Sequence, residues 1–335
     1  MAKKCFKESN MLHSIPFVHV WRGDFLESQH RGHAVICNLD GEIVEAWGNA
    51  EHVILPRSSC KILQALPLVT SGAANAFGLT SRQLALSCAS HQGAEIHSGV
   101  VRTWLRDLGK NDDDFRCGTQ WPRDIAASND LVKTDKSPCR YHNNCSGKHC
   151  GFLTLSKHLG AGPDYHLVDH PVQVAVRAAF EEITGETSPG FGIDGCSAPN
   201  WACTMTGLAR AMARCSGDGS DTISVAAALL RDAMMAHPEL VAGETRACTE
   251  LMRAAPGVAL KTGAEAVFIA IISGLKLGIS VKIEDGGTRA SEAVVTALLI
   301  RLGVLDAAHP AALKRLGPIH NWDGLETGGI SVALN

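Results

Sequence analysis

Pro56-Arg57-Ser58-Ser59-Cys60-Lys61-Ile62-Leu63 sets a hydroxyl and an amine three residues apart. Ile62, Leu63, Leu66 and Val69 recur at helical spacing, which predicts a helix with Ser58 as N-cap and Lys61 one turn further on the same face. A serine hydroxyl is a weak nucleophile until a base takes its proton. A lysine can be that base once burial or a nearby cation, here Arg57 or a second lysine, has made it neutral. The same spacing is also met in an ordinary helix cap. A second match, Ser273-Gly-Leu-Lys276, reads as a turn between two strand-like runs.

Four further clusters carry chemistry-bearing side chains. Ala89-Ser90-His91-Gln92-Gly93 offers a second hydroxyl at a helix exit, where Gly93 could equally be no more than the stop. Leu260-Lys261-Thr262-Gly263 puts a lysine on an apolar strand that runs into a glycine, a residue that lets backbone approach a ligand. His142-Asn143-Asn144-Cys145-Ser146-Gly147-Lys148-His149-Cys150 is the densest polar cluster. With Asn143 or Asn144 as cap, Cys145, Lys148 and His149 share a helix face. Ligand chemistry alone nominates Cys145, His149 and Cys150 for zinc, since a lysine must lose its proton to coordinate; the alternative is a buried cysteine beside a capping turn. Gly192-Ile193-Asp194-Gly195-Cys196 reads as an exposed, tightly turned acid beside another cysteine.

The elements that must position these groups are legible in outline. Segments 33–38 and 43–47 flank Asp40-Gly41 as a hairpin. The Ser58 helix follows, with Pro67 expected to end or kink it. Helical patterns then fill the middle: 82–88 capped at Thr80 and Ser81, 94–108, a segment after Cys145, Pro171–Thr184, 202–215 and 220–237. Strand patterns return at Val258–Thr262, 266–272, 278–283 and 328–334, with a helix over 289–302. The economical packing is α+β. An antiparallel sheet drawn from residues 1–80 and 255–335 is covered by the Ser58-proximal and C-terminal helices, residues 81–254 form an all-α lobe, and the cleft between them holds the start of the Ser58 helix.

With 335 residues the chain can bury a sizeable core, and a net charge of −3 argues against nucleic acid or an anionic membrane as partner. The polar start, Met1 to Asn10, predicts no signal peptide, and the most apolar run, 266–272, is too short to span a bilayer. A cytoplasmic location is therefore expected, with the twelve cysteines as buried hydrophobes, metal ligands or reactive thiols.

Taken in order, Arg57-Ser58-x-x-Lys61, Cys88-Ala-Ser90-His91, Asn144-Cys145-Ser-Gly-Lys148-His149, Asp194-Gly195-Cys196, Lys261-x-Gly-Ala264, 279–286 and Thr327-Gly-Gly-Ile-Ser331 resemble the class 3, Rhizobium etli-type L-asparaginases over nearly the whole chain. The resemblance implies the fold of serine β-lactamases, penicillin-binding proteins and glutaminases. It implies a homodimer that hydrolyses L-asparagine to L-aspartate and ammonia with two serine–lysine pairs, Ser58/Lys61 and Ser90/Lys261. It implies one zinc held by Cys145, Lys148, Cys196 and a water, in place of His149 and Cys150. Arg57, Asp194, His149 and Asn144 are then expected at the substrate. Rival expectations are a β-lactamase-like or D-peptide serine hydrolase, a zinc-dependent amidohydrolase with Asp194 as base, and a non-enzymatic zinc protein.

Overall fold

A computed structural model describes residues 13–334; the polar start of the chain lies outside them. Strands β1 (Ile15–Arg22), β2 (Phe25–Asn38) and β3 (Ile43–Trp47) open the chain. Two short ribbons follow, β4 (Val53–Ile54) with β7 (Cys203–Thr204), and β5 (Phe191–Ile193) with β6 (Pro199–Trp201). Then come β8 (Val258–Thr262), β9 (Val267–Ile272), β10 (Leu277–Ile283), β11 (Pro318–His320) and β12 (Glu326–Val332). The main sheet is antiparallel with order β11-β12-β1-β2-β10-β9-β8, and β3 also pairs with β2. Both chain ends therefore meet in one sheet, through β1 and β12. The length of β2 explains its third partner: one edge pairs with β1 up to Gly32, then with β3 from Ala34.

The 39–42 hairpin forms as expected, with Gly41 at φ +81°. Strand β1 and the first half of β2 were not foreseen, because Phe25-Leu-Glu-Ser-Gln-His-Arg shows no clean alternation and is mostly exposed. The sheet is covered on both faces, and all six residues of β9 are buried. On one face the Met205–Ser216 helix lies directly on β10. A Cβ at Gly278 would meet the Ala213 nitrogen at 2.0 Å and the Ala209 oxygen at 2.3 Å, and Ser280 Oγ donates to the Met205 carbonyl. The alternate residues Ile279 and Val281 face the other way, where the Thr288–Arg301 helix packs on β9, β10 and β1. Gly278→Ala should therefore cost about 3 kcal/mol, because the clash is with backbone that cannot rotate aside; the shift in urea midpoint measures it.

Two packing expectations are corrected. The 202–215 segment belongs on the sheet, not in the helical lobe, because its small residues Ala209 and Ala213 let it approach strand backbone. The Lys61–Thr70 helix does the reverse. It packs against the Pro171–Thr184, Thr222–Ala236 and Ser146–His158 helices, and every residue from Lys61 to Leu68 is buried. A helix apolar all round sits inside a lobe rather than on its rim. It also runs through Pro67 without ending there. Among the described residues no helix is long and apolar enough to cross a membrane, and the eleven described cysteines are all free.

Candidate active site

Ser58 lies not at an α-helix N-cap but inside a 3-10 turn, Arg57–Cys60, and the α-helix starts at Lys61 with no side-chain cap. Arg57 takes φ +53°, a left-handed conformation that a non-glycine residue holds only when its surroundings enforce it. Asn200 enforces it: its Oδ1 accepts from the Arg57 nitrogen at 3.0 Å, and its Nδ2 reaches the Arg57 carbonyl at 3.4 Å. Ser59 Oγ ties back to the Pro56 carbonyl at 2.7 Å. The end of β8 presses against the same turn, since a Cβ at Gly263 would meet the Pro56 oxygen at 2.7 Å. The strained turn leaves Ser58 half-buried on the wall of a cavity of about 450 Å³.

Ser90 is on the same wall, after the Ser81–Ser87 helix, and only 7% exposed. Both buried lysines converge on it. Lys61 Nζ lies 3.0 Å and Lys261 Nζ 2.9 Å from Ser90 Oγ. Lys61 Nζ also bonds to the Ala89 carbonyl and to Cys145 Sγ, the latter at 3.1 Å, while Lys261 Nζ donates to the Thr262 carbonyl at 2.7 Å. Burial, with the Lys61 charge second, pushes the Lys261 amine down to about 7. A neutral Lys261 amine is therefore accessible near physiological pH. The expected Ser58/Lys61 pairing is not formed: among the described residues the Ser58 hydroxyl bonds to neither lysine. The two expected pairs are instead one three-centre unit with Ser90 in the middle.

A second buried cluster adjoins this unit through the Lys61–Cys145 contact. Lys148 Nζ is 3.0 Å from Cys196 Sγ, on the loop between β5 and β6. The neighbouring Cys145 thiol, which donates to Asn144 Oδ1 at 3.1 Å, and the Lys148 charge act against burial and hold the Cys196 thiol well below its ordinary range. The Cys196 sulfur beside it, and then burial, push Cys145 up. Burial alone would push Lys148 down, but the charges of Cys196 and Cys145 outweigh it and hold the ammonium. Asp194 lies beside them and pairs with Arg57, its Oδ1 at 2.8 Å from Nη2 and 3.2 Å from Nε. Burial acts to raise the Asp194 carboxyl, yet Lys148 and Arg57 together bring it below the ordinary range.

Of the expected site residues, Ser58, Ser90 and Asn144 line the cavity, with Lys61 and Lys261 directly behind Ser90. Arg57 and Asp194 are not on its wall; each is occupied by the other, and Asp194 is largely buried rather than an exposed turn acid. His149 is corrected outright. It is fully buried, with Nδ1 at 2.8 Å from the Tyr165 hydroxyl and edge-on to the Phe115 and Phe152 rings, and burial keeps it neutral. Cys150 is likewise in the core, where burial raises its thiol. The cavity also holds Arg123, Arg246, Gln92, Thr288 and Glu292. Sequence reading missed Arg123, Arg246, Thr288 and Glu292 because they come from three segments far apart in the chain.

The L-asparaginase II family model matches residues 18–332. The chain belongs to that family. Nothing among the curated proteins matches this asparaginase-family chain. Solved structures similar to it include a Bacillus glutaminase, at 12% identity and TM-score 0.38, covering 82% of this chain and 91% of that one. A beta-lactamase from Mycobacterium bovis is similar at 10% identity and TM-score 0.33, covering 82% and 95%. A structure described as Mglu in its tris and glutamate form matches at 12% identity and TM-score 0.39; 87% of this chain is covered but 63% of that one.

Proposed function

We propose that this chain hydrolyses the side-chain amide of L-asparagine through a serine ester. The observation that carries the reading is the convergence of two buried lysines on Ser90 Oγ beside a second, cavity-facing hydroxyl. Ser58 attacks the amide carbon and passes its proton into the Ser90–Lys61–Lys261 unit. Ser90 hands a proton to the departing nitrogen; the C–N bond breaks, ammonia leaves, and the acyl group stays on Ser58. Water then hydrolyses that ester by the reverse proton path. Ser58 is the attacking group because it alone of the two hydroxyls is free of amine partners and set on a strained turn at the cavity wall. The spacing is also that of serine hydrolases with Ser-x-x-Lys and Lys-Thr-Gly blocks, here Ser58–Lys61 and Lys261-Thr262-Gly263. The deciding assay is ammonia release from L-asparagine. Turnover of L-glutamine, a chromogenic β-lactam or a D-peptide in place of asparagine would replace the substrate assigned here.

Two thiols and an amine, all buried and within reach of one another, form a donor set suited to zinc. Cys145, Lys148 and Cys196 would hold the ion, with Lys148 as the free amine. Bound there, zinc would supply a Lewis-acidic charge that fixes Asn144 on the cavity wall and the Arg57–Asp194 pair behind it. None of the three donors lines the cavity, which favours the serine route over a metal-activated water. Cys196→Ala should lose zinc and raise KM for asparagine more than it lowers kcat. Cys145→Ser should lower kcat as well, because its sulfur is a partner of Lys61. Metal analysis alongside full kinetics checks both; a kcat for Cys196→Ala as low as that of a serine variant would make the metal part of the chemical step.

A further inference from the structure

The cavity is also lined by charged residues outside the serine–lysine unit. Glu292, on the Thr288–Arg301 helix, and Arg246, at the N-terminus of the Ala247–Ala254 helix, line it together with Thr262 and Thr288. The Glu292 side chain is 25% exposed and accepts no hydrogen bond among the described residues. Its one close cation, Arg315 Nε, stands 3.4 Å away, while Arg315 Nη2 and Nη1 are committed to Glu250 at 2.7 Å and to the Ala311 carbonyl at 2.8 Å. Burial raises the Glu292 carboxyl above its ordinary range, as expected for an acid short of partners.

Arg246 makes no ion pair among the described residues, yet its charge bears on both Lys261 and Glu292. Glu292 and Arg246 face one cavity with opposite charges and do not meet each other. A half-buried carboxylate and an unpaired guanidinium held apart in a cleft are satisfied together by a ligand carrying both an ammonium and a carboxylate. The Arg57–Asp194 pair, by contrast, has already satisfied itself.

We propose that Glu292 and Arg246 recognise the α-ammonium and α-carboxylate of a free amino-acid substrate and so present its side-chain amide to Ser58 and Ser90. This rests on the amidohydrolase reading above and adds to it the two residues that hold the α-groups of the substrate. Arg123, exposed at the rim, adds positive charge without a protein partner among the described residues.

The test needs ligands that differ by one charged group. Calorimetry of L-aspartate and succinate on the intact chain reads recognition without turnover; ammonia release from L-asparagine, succinamate and 3-aminopropanamide reads it in catalysis. The wild type should prefer L-aspartate to succinate. Glu292→Gln should weaken L-aspartate by about a hundredfold and leave succinate within about twofold, erasing the preference. Arg246→Met should weaken aspartate and succinate alike and spare 3-aminopropanamide, which has no carboxylate. Because Arg246 has no protein partner, this variant carries the test should Glu292→Gln fail to fold. Retention of the wild-type preference for L-aspartate in a folded Glu292→Gln, or a wild type that binds no L-aspartate, overturns the proposal. Binding of L-aspartate with the expected variant pattern, but no ammonia from any amide, leaves the recognition site standing and sinks the hydrolase reading instead.

Discussion

Lys261→Met should abolish turnover and make the fold more stable. Lys261 is 1% exposed, and burial brings its amine from the ordinary lysine range to about 7. Below the unfolded value near 10.5 the unfolded chain takes up this proton, while the folded chain does not until about pH 7. The unfolded state thus binds more protons across that window, so stability falls as pH drops from about 10.5 to 7 and is flat for this group below it. Methionine keeps the volume and removes the charge, so at pH 8 the variant should gain about 2 kcal/mol after the loss of two hydrogen bonds is set against it. Turnover should fall at least about a hundredfold, the scale of a lost general base. In the wild type kcat/KM should rise as pH increases through about 7 and level off above, since the neutral amine is the active form. Lys61→Met should be nearly as damaging, and the double variant little worse than either, because both amines act on one hydroxyl. Thermal melts and pH–rate profiles check all of this. A Lys261→Met that melts lower than wild type, or two losses that simply multiply, would show lysines that work separately.

How far these groups could be read from the chain follows the physics of each signal. Local spacing found Ser58 and Lys61, the 39–42 hairpin and the helices of the middle, since those depend on residues within a turn or two of one another. It misread what Ser58 does, because a serine before an apolar helix looks like a cap whether or not an asparagine 142 residues away, Asn200, holds the preceding residue left-handed. His149 shares a helix face with Lys148 by sequence spacing, yet the Phe115 and Tyr165 rings that help enclose it come from other segments. The apolar strand around Lys261 marked that lysine, and the resemblance to a known family supplied its pairing with Ser90. Glu292 and Arg246 carried no signal at all, as each is an ordinary charged residue until the fold turns both into one cleft. The order of the sheet was legible only as the pairing of the two chain ends; the direct seating of the Met205–Ser216 helix on β10 depends on Gly278, whose role appears only when the neighbouring backbone is in place.

The sharpest separation of roles comes from the two serines. Ser58→Ala should lose at least about two orders of magnitude in turnover and still bind L-aspartate, as expected when a nucleophile rather than a binding contact is removed. Ser90→Ala should be comparably slow for another reason. It removes the hydroxyl through which both lysines act and leaves Lys61 and Lys261 buried without a shared acceptor. Turnover alone cannot tell these apart, so the covalent intermediate must be observed. A slow acylating analogue of asparagine, quenched in acid and mapped by mass spectrometry, should mark Ser58 in the wild type, mark nothing in Ser58→Ala, and mark Ser58 slowly in Ser90→Ala. The reason is geometric. Ser90 accepts hydrogen bonds from two amines and is 7% exposed, so an attack by its oxygen must first break those bonds, whereas the Ser58 oxygen meets the cavity directly. Acyl adduct found on Ser90, in the wild type or in Ser58→Ala, would reverse the assignment. Ser90 would then be the nucleophile with Lys261 as its base, and Ser58 would become the donor that steadies the developing oxyanion.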